Sequence, residues 1–491
     1  MTKLRVAFIT AEMAPYAKAG GLADVAGALP AALARSGVAV TLFLPLHGEI
    51  DRERYGITPV SGYDRLTVGE NRFELTARLF QADSGEAGLQ LYFIEQERFF
   101  DRTGIYTIPG SGEPWPDEDE RFFFFQEAVL ASLVALKLRP HLLHLNDYHT
   151  ALIPLLLREQ PSRYHIGCDP KTLLTIHNLG YQGRYPASSA VRAGLDSGWV
   201  APLAPLEFHG QMNVLKAGIH YADHINTVSP TYAEEIKTVE HGFGLEGVLQ
   251  ERQAQLTGLL NGIDINVWNP AADPHLDSHY TAEDLAGKQS AKVALCQECG
   301  LKSVTAPLGG VVSRLVHQKG CDLLLEALSR ILATGMQLVI LGTGERRFEK
   351  ALTAAATKYP GRMAFIAGYD NGLAHRIEAG SDLFLMPSRY EPCGLNQLYS
   401  LRYGTVPLVY STGGLRDTVK EWDETSGNGN GFLFSEYDAE GLLQATGRAV
   451  RLYRQPDKWA KLQRNGMQED HSWNNSAARY LDLYRQLTGG T

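Results

Sequence analysis

The chain of 491 residues carries 46 Lys and Arg against 55 Asp and Glu, a net charge of −9 near neutral pH. With 44% hydrophobic and 21% charged residues, it is long enough for two ordinary cores and too acidic for the basic field that nucleic acids or anionic membranes require. Five scattered cysteines read as reduced thiols, and no apolar run approaches the roughly 20 residues that span a bilayer. The opening residues run straight into a strand pattern without a leader-like segment, so a cytoplasmic protein with no membrane or nucleic-acid partner is expected.

Taken in chain order, short β-branched runs predict strands at 5–9, 39–44, 89–94, 142–145, 172–176 and 225–228. A second series follows at 310–313, 337–341, 364–366, 382–386, 406–409 and 432–434. Helical patterns of about 10–25 residues separate them, which predicts βαβ units and parallel sheets. The expected fold is α/β, with two doubly wound, Rossmann-like domains facing each other across a cleft. The boundaries are 1–258, 259–470 and a tail 471–491. That tail shows one apolar helical face, Tyr480, Leu483, Tyr484 and Leu487, in need of a surface. The Asn261-Gly262 pair at the division is a turn signal that suits a hinge. One irregular stretch, 98–119, is long enough to be functional or mobile.

The first strand leads into Thr10-Ala-Glu-Met-Ala-Pro-Tyr-Ala-Lys18-Ala-Gly20-Gly21-Leu-Ala-Asp24. Glycines let backbone N–H groups approach a ligand at a helix start, and Lys18 adds a full cation suited to a diphosphate. Read alone, Lys18 is equally a surface lysine beside a tight turn. The string is neither a dinucleotide fingerprint nor a Walker loop, which argues against a dehydrogenase or an ATPase. Asn146-Asp147-Tyr148-His149 and His177-Asn178 follow successive strands and should meet at the ligand edge of one sheet. Arg314 and Lys319 follow the first strand of the second series and can converge on phosphate oxygens. Glu391, in Pro387-Ser-Arg-Tyr-Glu391-Pro-Cys393-Gly394-Leu395-Asn396, ends a strand and opens a helix, where an N-cap is the alternative role.

Other signals are weaker. Asp117-Glu-Asp119 resembles a metal-binding Asp-x-Asp, but it precedes a helix expected near Arg121, where acidic side chains favour the dipole. Cys296-x-x-Cys299 lacks a second ligand pair for zinc, and Gly342-x-Gly344 lacks a third glycine. Phe122 to Phe125 should bury against the sheet. Gly20-Gly-Leu-Ala-Asp24 and Gly413-Gly-Leu-Arg-Asp417 share a pattern that fits either paired ligand contacts or two ordinary turns.

The strings at Lys18–Asp24, Asn146–His149, His177-Asn178, Arg314–Lys319 and around Glu391 resemble, in order, the motifs of bacterial glycogen synthases and plant starch synthases. Asn-Asp-Tyr-His here is a variant of the family's His-Asp-Trp-His. The resemblance implies a GT-B architecture, retaining glucosyl transfer from ADP-glucose to an α-1,4-glucan, no cofactor and no metal, and a tail helix that returns to the first domain. ADP over UDP rests on that resemblance alone. It further implies that Glu391 binds glucose hydroxyls and that Asp147 and His177 line the sugar pocket, while Lys18, Arg314 and Lys319 stabilise the departing diphosphate. Gly20, Gly21, Asp24, Tyr106, His149, Asn178, Asn261, Tyr369, Cys393, Gly394, Leu395 and Asn396 are implied in substrate binding, Tyr369 by stacking on the base and Tyr106 by reaching in from the 98–119 loop. Many related retaining transferases carry a second Glu where this chain has Tyr399, so chemistry with one carboxylate is implied.

Overall fold

A computed structural model describes residues 3–68, 75–110, 112–162 and 164–490; Ser111 of the irregular stretch lies outside them. The chain forms two compact units, Met1–Val228 with Ala233–Leu259 and Trp473–Thr491, and Ser229–Tyr232 with Leu260–Ser472.

The sheet of the first unit contains β1 (Arg5–Ile9), β2 (Ala39–Pro45), β3 (Thr76–Asp83), β4 (Leu89–Glu95), β5 (Leu142–Asn146), β6 (Lys171–Ile176), β7 (His224–Thr227) and β8 (Leu256–Gly258). Their order is β8-β7-β6-β5-β1-β2-β4-β3, parallel from β8 to β4, with β3 antiparallel at one side and the short strands Thr58–Pro59 and Leu66–Thr67 paired to it. β5 is buried along its whole length, as a strand covered on both faces must be. From β1 the chain winds first towards β2 and later towards β5. The ends of those two strands, Ile9 and Asn146, therefore flank a topological switch point, where open α/β sheets bind ligands.

The last helix, Trp473–Leu487, buries Tyr480, Leu483 and Tyr484 in the core of this unit beside the Gly21–Arg35 helix. Two polar contacts key it to the sheet. The Tyr484 hydroxyl lies 2.6 Å from His144 Nδ1, and Asn226 donates to the Tyr480 hydroxyl at 3.1 Å.

The second unit holds a six-stranded parallel sheet of β9 (Leu308–Val312), β10 (Gln337–Gly342), β11 (Met363–Ala367), β12 (Leu383–Met386), β13 (Val406–Tyr410) and β14 (Phe432–Phe434). The order is β11-β10-β9-β12-β13-β14, the doubly wound arrangement, with its switch point between β9 and β12. Successive side chains of β10 serve opposite faces: Leu338 and Ile340 join one apolar cluster, Val339 and Leu341 the other.

Glycines fix two close approaches in this unit. Gly320 has φ +70°, and a Cβ there would lie 1.8 Å from the Pro387 carbonyl oxygen. That contact seats the turn after β9 against the end of β12. Gly342 and Gly344 pack on the Ser313 and Leu315 backbone, at 2.1 and 2.4 Å from an added Cβ, so packing accounts for both.

The irregular stretch is more structured than its composition suggests. Glu97–Phe100 is helical, and the next long helix begins at Glu118, earlier than expected, because three acidic residues occupy its first turn. The fully buried Arg121 donates to the Phe99 and Ile105 carbonyls and so ties the first part of the loop to that helix. Phe122 to Phe125 are all buried.

Candidate active site

In the first unit, the segment after β1 is organised by Glu12. Its buried carboxylate accepts the N–H groups of Ala19 at 2.5 Å and Gly20 at 2.9 Å. Burial raises its pKa, and those two N–H groups oppose the rise. The Gly20 N–H, one of those expected to approach a ligand, is therefore occupied from within. Gly21 begins the helix, and a Cβ there would meet nothing within 4 Å. The fold does not require glycine at that position; its effect is to leave the backbone open to close approach. Lys18 Nζ lies 2.6 Å from Asp24 Oδ1, half-exposed at 50%.

Next to this turn, Asp147 follows β5 with φ +56°, a costly conformation for a residue with a side chain. Its Oδ1 accepts the His177 N–H at 2.8 Å and so joins the ends of β5 and β6. Burial pushes the Asp147 carboxyl up to about 7, with help from the Glu12 charge, while the N–H groups of His177 and Asn178 pull it back. Burial also holds the His177 ring down to about 3. Asn178 turns its own Oδ1 to the Gly180 N–H at 3.0 Å.

His149 lies deeper. Its ring lies against Tyr148, centroids 3.7 Å apart, and against Tyr106 at 4.9 Å, and among the described residues neither ring nitrogen has a hydrogen-bond partner. Tyr106 faces Glu12 and Asp147, whose charges add to burial in raising its phenol well above the ordinary value.

In the second unit the switch point gathers the remaining groups. Glu391 is buried, with Oε2 2.5 Å from Lys319 Nζ and 3.1 Å from the Ser388 hydroxyl that donates to it. Arg314 is exposed at the end of β9 and, among the described residues, enters no ion pair. Asn396 donates from Nδ2 to the Val312 carbonyl at 2.6 Å, which fixes the Asn396–Arg402 helix start against β9. Gly394 has φ +72°, and no side chain caps this helix. Gly394, Leu395 and Asn396 thus present backbone N–H groups beside Glu391.

Burial pushes the Cys393 thiol up to about 12, so it is inert there. Asn261 is buried, and among the described residues its Oδ1 has no hydrogen-bond partner. Tyr369 stands 70% exposed, its hydroxyl donating to Asn371 at 3.0 Å. Tyr399 stacks on Trp268 at 3.7 Å, and Trp268 stacks in turn on His375 at 3.9 Å. The position of the second Glu in other transferases is here part of an aromatic wall.

Residues 5–251 match the family profile for the starch synthase catalytic domain, and residues 301–466 match that for glycosyl transferases group 1. A glycogen synthase of Anaeromyxobacter dehalogenans is 47% identical over 487 residues, covering 99% of this chain and 100% of that protein. The chain belongs to the glycogen and starch synthase family. The solved catalytic domain of starch synthase IV from Arabidopsis thaliana, bound to ADP and acarbose, superposes with a TM-score of 0.89 at 34% identity, covering 99% of this chain and 100% of that one. A sucrose-phosphate synthase from Thermosynechococcus elongatus, at 18% identity and a TM-score of 0.58, shares the fold alone.

Within the framework of this glycosyltransferase family, Lys18, Gly20, Gly21, Asp24, Tyr106, Asp147, His177 and Asn178 gather near one switch point. Arg314, Lys319, Glu391 and residues 393–396 gather near the other. The Asn261 backbone hydrogen-bonds the Cys393 thiol, which ties it to the Glu391 loop, while Tyr369 follows β11. Reading the sequence assigned no role to Glu12, Asn146 or Ser388, although each directly holds a motif residue. The available signal was a polar residue that ends or follows a buried strand. The Asp117–Asp119 acids are all engaged: Asp117 pairs with Arg102 at 2.6 Å, Glu118 accepts the Tyr148 hydroxyl at 2.9 Å, and Asp119 pairs with Arg192 at 3.1 Å. Among the described residues no group of three or more His, Cys, Asp or Glu could hold a metal ion, and no helix is long and apolar enough to cross a membrane.

Proposed function

We propose that this chain transfers glucose from ADP-glucose to the non-reducing end of an α-1,4-glucan with retention of configuration. The observation that carries the reading is the Glu391–Lys319 pair at 2.5 Å beside the open N–H groups of residues 394–396. A carboxylate suited to sugar hydroxyls and a cation suited to phosphate stand side by side, as a nucleotide sugar requires. In the transition state positive charge grows at C1 and negative charge on the phosphate. Lys18, Arg314 and Lys319 take the negative charge, so the reading needs no metal and no cofactor. Asp147 and His177 line the glucose side, and Tyr369 offers its exposed ring to the base. The acceptor 4-hydroxyl oxygen forms the new C1–O bond and gives its proton to the departing phosphate, and ADP leaves with the electrons of the broken C1–O bond.

The ADP in the Arabidopsis relative supports the choice of donor base. Five cysteines, all unpaired, support a reducing, cytoplasmic setting. The purified protein, given ADP-glucose or UDP-glucose with glycogen, should release ADP and extend β-amylase-sensitive chains. Equal or faster release of UDP, or transfer to small sugar phosphates in place of glycogen, overturns the reading.

A further inference from the structure

Asn146 is fully buried at the end of β5 and joins two strands through its carboxamide. One terminal atom lies 2.9 Å from the Ile9 carbonyl oxygen. A carbonyl oxygen only accepts, so that atom is the Nδ2 donor. The other terminal atom, Oδ1, also only accepts, and it lies 2.9 Å from His177 Nε2. That ring nitrogen must therefore carry the hydrogen. The His177 backbone is fixed separately, by its N–H bond to Asp147. The carboxamide thus acts on the ring, and among the described residues Nδ1 has no hydrogen-bond partner.

We infer that Asn146 is a positioning residue, holding the His177 imidazole as its Nε2–H tautomer and leaving the Nδ1 lone pair to accept a sugar hydroxyl. This rests on the reading of the site as one for glucosyl transfer. It makes His177 an acceptor for a substrate hydroxyl at Nδ1 and takes Nε2 out of proton exchange with substrate. Burial of the ring keeps it neutral and agrees with that role. The family segment has His where this chain has Asn146; an imidazole also offers one donor and one acceptor, so Asn146→His is the conservative replacement.

The test uses the whole protein labelled with ¹⁵N-histidine, the His177 signals being assigned by their loss in His177→Gln. A protonated Nε2 and a bare Nδ1, unchanged from pH 6 to 8, are expected. A protonated Nδ1, or a mixture of tautomers, overturns the proposal without any need for a variant at 146. In kinetics, Asn146→Ala should lower kcat about tenfold or more, with the KM for ADP-glucose within about threefold of wild type. Asn146→His should restore kcat to within about threefold. Wild-type kcat in Asn146→Ala overturns the positioning role. Failure of the functional reading would appear instead as wild-type protein that releases no ADP, and the tautomer measurement would still stand.

Discussion

Lys319→Ala should destabilise the second unit far more than removing its partner does. Glu391 keeps 7% of its side chain exposed and Lys319 keeps 20%, at a separation of 2.5 Å. Removing one member of a buried pair costs about 3–5 kcal/mol because the other charge is stranded. The Ser388 hydroxyl still donates to the carboxylate, and the cavity left by the lysine admits some solvent, so a cost below that range, about 2–3 kcal/mol, is expected. Glu391→Gln strands only a lysine already reaching water, at a cost of about 1 kcal/mol. The double variant should then be more stable than Lys319→Ala alone, a coupling of about 1–2 kcal/mol in a double-mutant cycle.

Urea unfolding followed by tryptophan fluorescence, compared as midpoints at pH 7.5, gives the ranking. Activity gives a separate readout, since all three variants should lose about 10²–10³ in kcat/KM if both groups serve the donor. Lys319→Ala as stable as Glu391→Gln, or a double variant destabilised by the sum of the two, would refute the reasoning.

Lys18 offers the opposite case: its pair with Asp24 is half-exposed, so Lys18→Ala should change stability by under about 0.5 kcal/mol while kcat/KM for ADP-glucose falls about 10²–10³-fold, in steady-state kinetics with glycogen fixed. Gly413→Ala would place a Cβ 2.0 Å from the Glu391 carbonyl at φ +43° and should cost about 3 kcal/mol or more, whereas Gly21→Ala should leave the urea midpoint nearly unchanged and raise the donor KM about tenfold. The fully buried His144 is held down to about 3, below its unfolded value of about 6.5. Its contribution is therefore complete above pH 6.5 and lost as pH falls towards 3, and His144→Gln should flatten the acid loss of stability by up to about 1.4 kcal/mol per pH unit. Asp147, raised to about 7, has the opposite sign: it stabilises fully below about 4 and loses that contribution as pH rises through 7, so Asp147→Asn should steepen the acid loss between pH 6.5 and 4.

The parallel strands were legible because both their faces are buried, which makes them short continuous apolar runs such as 142–145 and 337–341. Thr76–Asp83 was not, since a strand at the side of the sheet mixes Arg78 and Gln81 into its pattern, and the small antiparallel sheet of residues 184–213 is built from runs of two or three residues. In the site, motif spacing located the turns that carry Lys18, His177, Lys319 and Glu391. It could not assign Glu12 or Asn146, because their roles lie in contacts with Ala19, Gly20, Ile9 and His177 that only the folded chain creates. Local sequence specifies where the backbone turns; which buried polar atom meets which is decided by strand order.

The two Gly-Gly-Leu-x-Asp strings make that limit concrete. At Gly413 and Gly414 an added Cβ would collide with the Glu391 and Cys393 carbonyls, each at 2.0 Å, so these glycines let the helix start seat itself against the Glu391 loop. Asp417 accepts the Thr231 N–H at 3.0 Å and its hydroxyl at 2.6 Å, a structural anchor within the second unit. At Gly20 and Gly21 nothing crowds the backbone, and Asp24 faces a half-exposed lysine. One string is explained by what the protein packs against it. The other is not explained by the protein's own packing, and that is the stronger reason to assign Lys18, Gly21 and Asp24 to a ligand.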